Sequence, residues 1–154
     1  MNRLAVVAVL LVVFLAGCLG WHRRHAVRPV PSAADAVAVA GPTLGSHEFK
    51  PDVCIAGQHY SFWGADLGEE KSGWIARLVI DPITGPVVRV FQFSDPYGPS
   101  IVVGRADCKT FQADVSRTHN LYNGVEVIDV TLDLDCRTKR GDFVVGKASA
   151  KECR

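Results

Sequence analysis

The sequence predicts an all-β fold, either a small antiparallel β-sandwich or a small barrel, stabilised by disulfide bonds. From residue 51 onward no segment keeps an apolar stripe at helical spacing over three turns, and short β-branched and aromatic runs alternate with turn residues. Four cysteines lie in this part of the chain, an even number that indicates two disulfides in an exported protein. We therefore predict a single all-β domain over residues 51–154.

The first predicted strands include a hairpin. Residues 59–63 are a short aromatic strand candidate. Residues 74–80 and 87–93 are β-branched and aromatic runs, and the cluster Asp-Pro-Ile-Thr-Gly-Pro at 81–86 between them has turn composition. These two runs are predicted to pair through that turn.

A loop at residues 94–99, rich in proline and glycine, precedes another predicted strand at 101–106. Within that strand, Val102-Val103-Gly104-Arg105-Ala106 is echoed by Val144-Val145-Gly146-Lys147-Ala148 near the C-terminus. The echo is interpreted either as a duplicated strand unit or as a chance recurrence of five small residues.

The C-terminal third predicts a three-stranded antiparallel meander. Even positions are apolar from residue 128 to 136, and odd positions are apolar from 111 to 115. Asn123-Gly124 between these runs predicts a two-residue type I′ turn. This turn pairs Tyr122 with Val125 and therefore Phe111 with Cys136, and it brings both apolar faces to one side.

A second turn extends the meander. Lys139-Arg140-Gly141 fits a three-residue loop with glycine in the left-handed position. This loop sets Leu134 opposite Gly146, and the pairs that follow again join apolar positions. Two turns that agree with side-chain alternation specify the register, because a slip of one residue would put every partner on the wrong face.

The register also limits the disulfide pairing, since bonded cysteines need Cα atoms within about 7 Å. Cys136 and Cys153 are far apart along adjacent strands, and Cys108 and Cys153 lie towards opposite ends of the meander. Cys108 is three residues out of line with Cys136, a gap that a bulge near Thr110 would close. We predict Cys108–Cys136 and Cys54–Cys153, although strict alternation puts Cys108 and Cys136 on opposite faces. Isolated buried thiols are the alternative.

The N-terminus carries the most specific motif. Arg3 is followed by an apolar run at residues 4–16 and by small residues before a cysteine. Leu15-Ala16-Gly17-Cys18 resembles the lipobox of bacterial lipoproteins. The resemblance implies a signal peptide at residues 1–17 and lipidation of Cys18. Leu19 is compatible with export to the outer membrane in Gram-negative lipoproteins, so the expected location is the cell envelope, on the outer membrane and facing the periplasm.

Two alternatives to the lipid anchor stay open, a plain signal peptide and an uncleaved transmembrane anchor. The apolar segment to Trp21 nearly reaches the roughly 20 residues that span a bilayer. The positive-inside rule would then place the domain in the cytoplasm, because Arg23 and Arg24 outnumber Arg3. Cysteine-rich domains are unusual there.

Residues 18–50 are predicted to be the lipidated N-terminus and a flexible tether. The basic run at 21–25 is followed by prolines and an Ala/Val-rich stretch without a sustained period. We interpret the basic run as solvated, with contact to anionic headgroups as the alternative.

The residue pattern indicates neither enzymatic nor metal chemistry. No serine lies in a Gly-x-Ser-x-Gly motif, and none of the 5 histidines has metal-ligand spacing. The polar face of one predicted strand carries aspartates that oppose lysines, which favours a solvated outer face over a calcium site. These residues are Asp129, Asp133, Asp135, Lys147 and Lys151. We expect no enzyme activity, no cofactor and no metal.

The net charge of +1 gives no electrostatic reason to expect a nucleic-acid partner. These features together predict a membrane-anchored bacterial lipoprotein with a non-enzymatic binding or envelope-structural role and an unidentified protein partner in the envelope. One alternative is a periplasmic enzyme inhibitor that inserts a loop such as 94–100 into an enzyme cleft.

A second alternative comes from residues 81–93, Asp-Pro-Ile-Thr-Gly-Pro-Val-Val-Arg-Val-Phe-Gln-Phe. This stretch resembles the strand near the start of the β-sandwich lipoprotein that anchors the type VI secretion membrane complex. The resemblance implies a scaffold in a secretion or envelope complex. A protruding Pro/Gly loop favours the inhibitor, and a flat exposed edge strand favours the scaffold.

Overall fold

Two five-stranded antiparallel sheets pack face to face in the computed structural model, which describes residues 26–154. Sheet A contains, in spatial order, β2 (Gly45–Phe49), β1 (Val37–Gly41), β10 (Phe143–Cys153), β9 (Val125–Arg137) and β8 (Cys108–Tyr122). Sheet B contains, in spatial order, β3 (Val53–Ala56), β4 (Gly64–Gly68), β5 (Trp74–Asp81), β6 (Gly85–Gln92) and β7 (Ile101–Gly104). The predicted all-β sandwich is confirmed, and the sheets do not close into a barrel.

The core lies between the sheets and is built from alternate residues of each strand. The largest side chains with almost no exposure come from both sheets: Val37, Val39, Phe49, Ile128, Leu132 and Leu134 from sheet A, and Leu67, Leu78, Val88, Val90 and Ile101 from sheet B. Burial of each stabilises the fold by about 1.5–3 kcal/mol relative to full exposure.

The β5–β6 hairpin forms as predicted, with Trp74 opposite Gln92 and Asp81 opposite Gly85. Its turn depends on Asp81, whose carboxylate accepts the backbone N–H groups of Ile83 and Thr84 at 2.8 and 2.7 Å. These hydrogen bonds hold the pKa of Asp81 below its ordinary value.

The β9–β10 pairing of the meander is confirmed. Leu134 lies opposite Gly146, and the register continues without interruption to Ala150. The connecting loop has Gly141 at a φ of 92°, in the left-handed region that the turn chemistry requires.

The β8–β9 pairing is confirmed at the turn and wrong beyond it. Tyr122 pairs with Val125 across the predicted Asn-Gly turn, but Phe111 lies opposite Leu134 and not opposite Cys136. The register has shifted by two residues. An even shift keeps the alternation intact, so the apolar faces still agree.

The shift arises from an irregularity in β8 between Arg117 and Leu121. His119 there adopts a φ of 63°, and the Thr118 hydroxyl donates to the carbonyl of Val127 at 2.7 Å. The Thr118 side chain thus bonds to β9 where the two extra residues of β8 interrupt the backbone pairing. The Asn-Gly turn motif does not predict this bulge.

Two strand predictions in sheet B need correction. Residues 59–63 are not a strand, because Gly57–Tyr60 forms a 3₁₀ turn that ends at Ser61 with a φ of 65°. The strand predicted at 101–106 stops at Gly104, and Arg105–Asp107 forms a second 3₁₀ turn.

The predicted tether also needs correction, because residues 37–49 form β1 and β2 within sheet A. Residues 36–40 are all buried and therefore show no alternation. A strand covered on both faces reads as a continuous apolar run, which single-sequence periodicity does not separate from a linker. The ordered domain thus begins before residue 51.

Candidate functional site

The four cysteines of the domain form two disulfides with the predicted pairing. Cys54–Cys153 joins β3 of sheet B to β10 of sheet A, and Cys108–Cys136 joins β8 to β9 within sheet A. One bond therefore ties the two layers together, and the other ties the start of an edge strand to its neighbour.

A β-bulge accompanies each disulfide. The β8–β9 register shifts by one residue between Cys108 and Thr110, where a bulge is predicted. The two-residue shift between Arg117 and Leu121 makes up the rest of the three-residue gap, so Cys108 lies opposite Cys136. One extra residue reverses the alternation, so both cysteines face the same side and the conflict of faces disappears. The β9–β10 register shifts between Ala150 and Cys153 and turns Cys153 into the core.

Residues 26–36, which we call the strap, cross the outer face of sheet A. Arg28 pairs with Asp135 of β9 at 3.0 Å, and the Ser32 N–H donates to the carboxylate of Glu48 in β2 at 2.9 Å. The strap ends where the carbonyl of Ala36 accepts the Lys147 N–H of β10 at 3.1 Å. The N-terminal segment thus lies on the domain from residue 28 onward.

The aspartates of β9 lie on the outer face, as the solvated-face interpretation expects. Asp133 pairs with the directly opposite Lys147 at 2.7 Å, and Asp129 accepts the backbone N–H of Glu152. The hydrogen bond from Arg28 holds the pKa of Asp135 below its ordinary value, with a smaller contribution from the charge of Lys109. Within residues 26–154, no group of three or more His, Cys, Asp or Glu is arranged to hold a metal ion.

The outer face of sheet B carries a buried ion pair that the sequence analysis missed. Arg77 donates two hydrogen bonds to Asp66 at 2.7 and 2.8 Å, and Asp66 is only 4% exposed. The guanidinium lies over the rings of Tyr60, Phe62 and Phe91 at 5.0–5.7 Å. No buried polar side-chain atom of the pair lacks a hydrogen-bond partner, and the contacts of the guanidinium hold the first 3₁₀ turn against β4 and β5. The only sequence signal of this pair is an aspartate between two apolar residues, Ala65 and Leu67.

The loop at residues 93–100 protrudes from the domain with a fixed backbone. Arg89 donates to the carbonyl of Pro96 at 2.8 Å, and the Gly98 N–H donates to the carbonyl of Asp95 at 3.1 Å. A Cβ at Gly98 would lie 1.9 Å from the Asp95 carboxylate, so the two residues are in close contact across the bend. Tyr97, at the tip, is 97% exposed.

One end of sheet A gathers exposed cations on neighbouring segments. Lys109 and Arg137 border a shallow depression together with Arg28, and Lys139 and Arg140 border an adjacent one. Both depressions share Asp107. We call Arg105, Lys109, Arg137, Lys139 and Arg140 the basic end.

Cys18 and the predicted signal peptide at residues 1–17 lie outside the described residues. Among residues 26–154, no helix has the length and apolar character needed to cross a bilayer. The fold and cysteines define a disulfide-bonded antiparallel β-sandwich. Comparison with protein-family models, with curated proteins and with solved structures finds no match.

Proposed function

We propose that the protein is a lipid-anchored bacterial lipoprotein that holds a non-enzymatic binding domain at a membrane of the cell envelope. The observation that carries the proposal is the complete pairing of the domain's four cysteines, two disulfides that form in oxidising compartments. Of the 5 cysteines in the chain, this leaves Cys18, which lies at the position that lipidation requires. The proposed location is the periplasmic leaflet of the outer membrane, in view of Leu19.

The test is intact mass spectrometry of protein purified from its native membrane, with and without reductant before alkylation. We expect the loss of residues 1–17, a lipid adduct on Cys18 and four cysteines that are alkylated only after reduction. Replacing Cys18 with Ser should release the protein from the membrane fraction. A mass that retains the first seventeen residues, together with free thiols, would contradict the proposal.

A second candidate function is enzyme inhibition, favoured by the protruding 93–100 loop. Its fixed backbone means that little conformational entropy is lost on insertion into a cleft. A photo-crosslinking amino acid at Tyr97 should trap an envelope enzyme, and a crosslinker at Ile83, 92% exposed in the β5–β6 turn, is the matched control. The purified protein should then inhibit that enzyme, and Tyr97→Ala should abolish inhibition. Equal trapping from both positions would argue against the inhibitor.

The scaffold alternative has weaker support. Among the edge strands formed by residues 26–154, β8 is the longest, and two irregularities interrupt its pairing with β9. Bulges of this kind bend an edge away from added strands, whereas a scaffold built by strand addition needs a flat one.

A further inference from the structure

Charge is unevenly distributed over the sandwich. All 16 acidic residues, and all of the 17 Lys and Arg except Arg3, Arg23 and Arg24, lie in residues 26–154. The described part of the chain therefore has a slight net negative charge. The basic end nevertheless places five exposed cations on two segments, 105–109 and 137–140, that the Cys108–Cys136 disulfide joins.

The carboxylates near the basic end are engaged in other contacts. Asp142 is only 2% exposed and accepts hydrogen bonds from Thr43 and Thr138, and Asp107 accepts the backbone N–H of Gly104. Asp135 borders the same depression as Lys109 and Arg137, and its carboxylate pairs with Arg28 at 3.0 Å. Within the part of the chain that the structure describes, the ion pairs shorter than 4.0 Å involve none of the five cations. Their charge is thus available to an external anionic group.

The chain enters the domain beside the basic end. Arg28 of the strap borders the same depression as Lys109 and Arg137. The segment from Cys18 to residue 26 spans at most about 28 Å even when fully extended. A lipid on Cys18 would consequently keep this end of the sandwich close to the membrane surface, and Arg23 and Arg24 lie in the connecting segment.

We propose that the basic end docks on an anionic phospholipid surface, so that the domain rests on the membrane instead of swinging on a long tether. This inference rests on the proposed lipid anchor, which supplies the high local concentration that a modest charge patch needs. Each Lys or Arg close to an anionic leaflet strengthens binding about fivefold. The five cations of the basic end are therefore sufficient for stable docking once the chain is anchored.

Docking in this orientation separates the two ends of the molecule. The tip of the β8–β9 hairpin, with Leu121 73% exposed and Tyr122 47% exposed, points away from the lipid and is free for a protein partner. Ser100, at the end of the 93–100 loop, borders the depression of Lys139 and Arg140. Membrane docking therefore leaves this loop next to the headgroups, where it competes with use of the loop as an inhibitor.

The test is lysine footprinting of the membrane-purified protein in two kinds of vesicle, phosphatidylcholine alone and phosphatidylcholine with phosphatidylglycerol. A membrane-impermeant amine-acylating reagent is added, and the acylation rate of each lysine is read by mass spectrometry. We expect the rates of Lys109 and Lys139 to fall at least fivefold on the phosphatidylglycerol vesicles, whereas that of exposed Lys71 stays unchanged. The difference should vanish at 1 M salt, where the screening length is about 3 Å.

The variants leave the reporting lysines in place. Arg137→Gln with Arg140→Gln should remove the protection of Lys109 and Lys139. Arg117→Gln with Arg154→Gln removes two cations from the opposite end of the β8–β9 hairpin and should leave the protection intact. Both pairs remove two positive charges, and each pair includes at least one arginine that lies over an aromatic ring, at 5.2 Å for Arg137 and at 4.6 and 4.8 Å for Arg117 and Arg154.

The outcomes that overturn the docking proposal differ from failure of the anchor. Equal acylation on both vesicle types, protection that survives 1 M salt, or protection in detergent without vesicles would each contradict docking on anionic lipid. Failure of the protein to remain with either vesicle would contradict the lipid anchor itself.

Discussion

Two segments with nearly the same sequence take different structures. Val102-Val103-Gly104-Arg105-Ala106 forms the end of β7, an edge strand of sheet B, and then enters a 3₁₀ turn. Val144-Val145-Gly146-Lys147-Ala148 lies in β10 between β1 and β9 of sheet A and continues as a strand to Cys153. The pentapeptide pattern therefore specifies extended chain but not where the strand ends.

The difference lies in what surrounds each glycine. Gly146 has a φ of 148°, and a Cβ there would lie 2.0 Å from the carbonyl oxygen of Ala36. A Cβ at Gly104 would meet no heavy atom of residues 26–154 within 4 Å apart from its chain neighbours, and the Gly104 N–H donates to the Asp107 carboxylate at 3.1 Å. The neighbouring strands β1 and β9 keep residues 144–148 extended, whereas the hydrogen bond from Gly104 to Asp107 turns the chain after residue 104.

The largest expected loss of stability comes from removing the disulfides. Each segment is followed by a disulfide-bonded cysteine, Cys108 after the first and Cys153 after the second. Chain-entropy arguments give about 4.7 kcal/mol for a bond that closes a loop as long as Cys54–Cys153, and about 3.6 kcal/mol for one like Cys108–Cys136. The sequence separations are 99 and 28 residues. Denaturant unfolding of the two double Cys→Ala variants should show the larger loss of unfolding free energy when Cys54 and Cys153 are replaced. Equal losses would mean that native-state strain, and not loop length, decides.

The glycines give the sharpest test of the comparison. Gly146→Ala should destabilise the domain by about 3 kcal/mol, since the new methyl group meets backbone and the positive φ is unfavourable. Gly104→Ala should change the free energy of unfolding by less than about 1 kcal/mol, because its backbone is extended and the space is open. Thermal unfolding of both variants measures the difference in their stability. Equal destabilisation would show that the contact with Ala36 is not what distinguishes the segments.

A smaller effect is expected at the third residue after each glycine. Asp107→Ala removes the acceptor of the Gly104 N–H and should cost about 1 kcal/mol. Ser149→Ala, at the corresponding place in β10, lies on the exposed side of sheet A and should be near neutral. Urea unfolding of the pair measures the difference, and a costly Ser149→Ala would contradict it.

The smallest effect is a pH dependence of the strap, which crosses the second segment. Hydrogen bonding from Arg28 lowers the pKa of Asp135 in the folded state. The contact is therefore complete above the ordinary carboxyl value of 3.8 and is lost as the pH falls through the lowered one. The Nε–H resonance of Arg28 in NMR spectra should follow this titration, with a midpoint below 3.8. A midpoint above that value would place the strap elsewhere.

Local chemistry explains which parts of the fold were predictable. The Asn-Gly turn, the left-handed Gly141 and the Asp81 turn each depend on residues within one short segment, and all three formed as predicted. The disulfide pairing also formed as predicted, although the register and alternation set by these turns leave Cys108 and Cys136 three residues apart on opposite faces, and two irregularities in β8 bring them into line. The bulge around His119 was not predicted, since the bond from Thr118 to Val127 joins different strands.

The candidate site was less accessible to sequence reasoning than the fold. The basic end comes from two segments nearly thirty residues apart, which only the Cys108–Cys136 bond and strand pairing bring together. The sequence predicts a tether where the strap lies, because the strap is held by contacts with Asp135 and Glu48 on strands distant in sequence, which local patterns do not reveal.

The sequence by itself determined the all-β class, the turns and the parity of the meander, because these follow from backbone preferences and side-chain alternation over short stretches. Only the tertiary structure decided that residues 37–49 complete sheet A, that Gly146 must lie under Ala36, and that five cations share one end of the sandwich. Each of these depends on which strands become neighbours, and that choice is made by burial of the whole core.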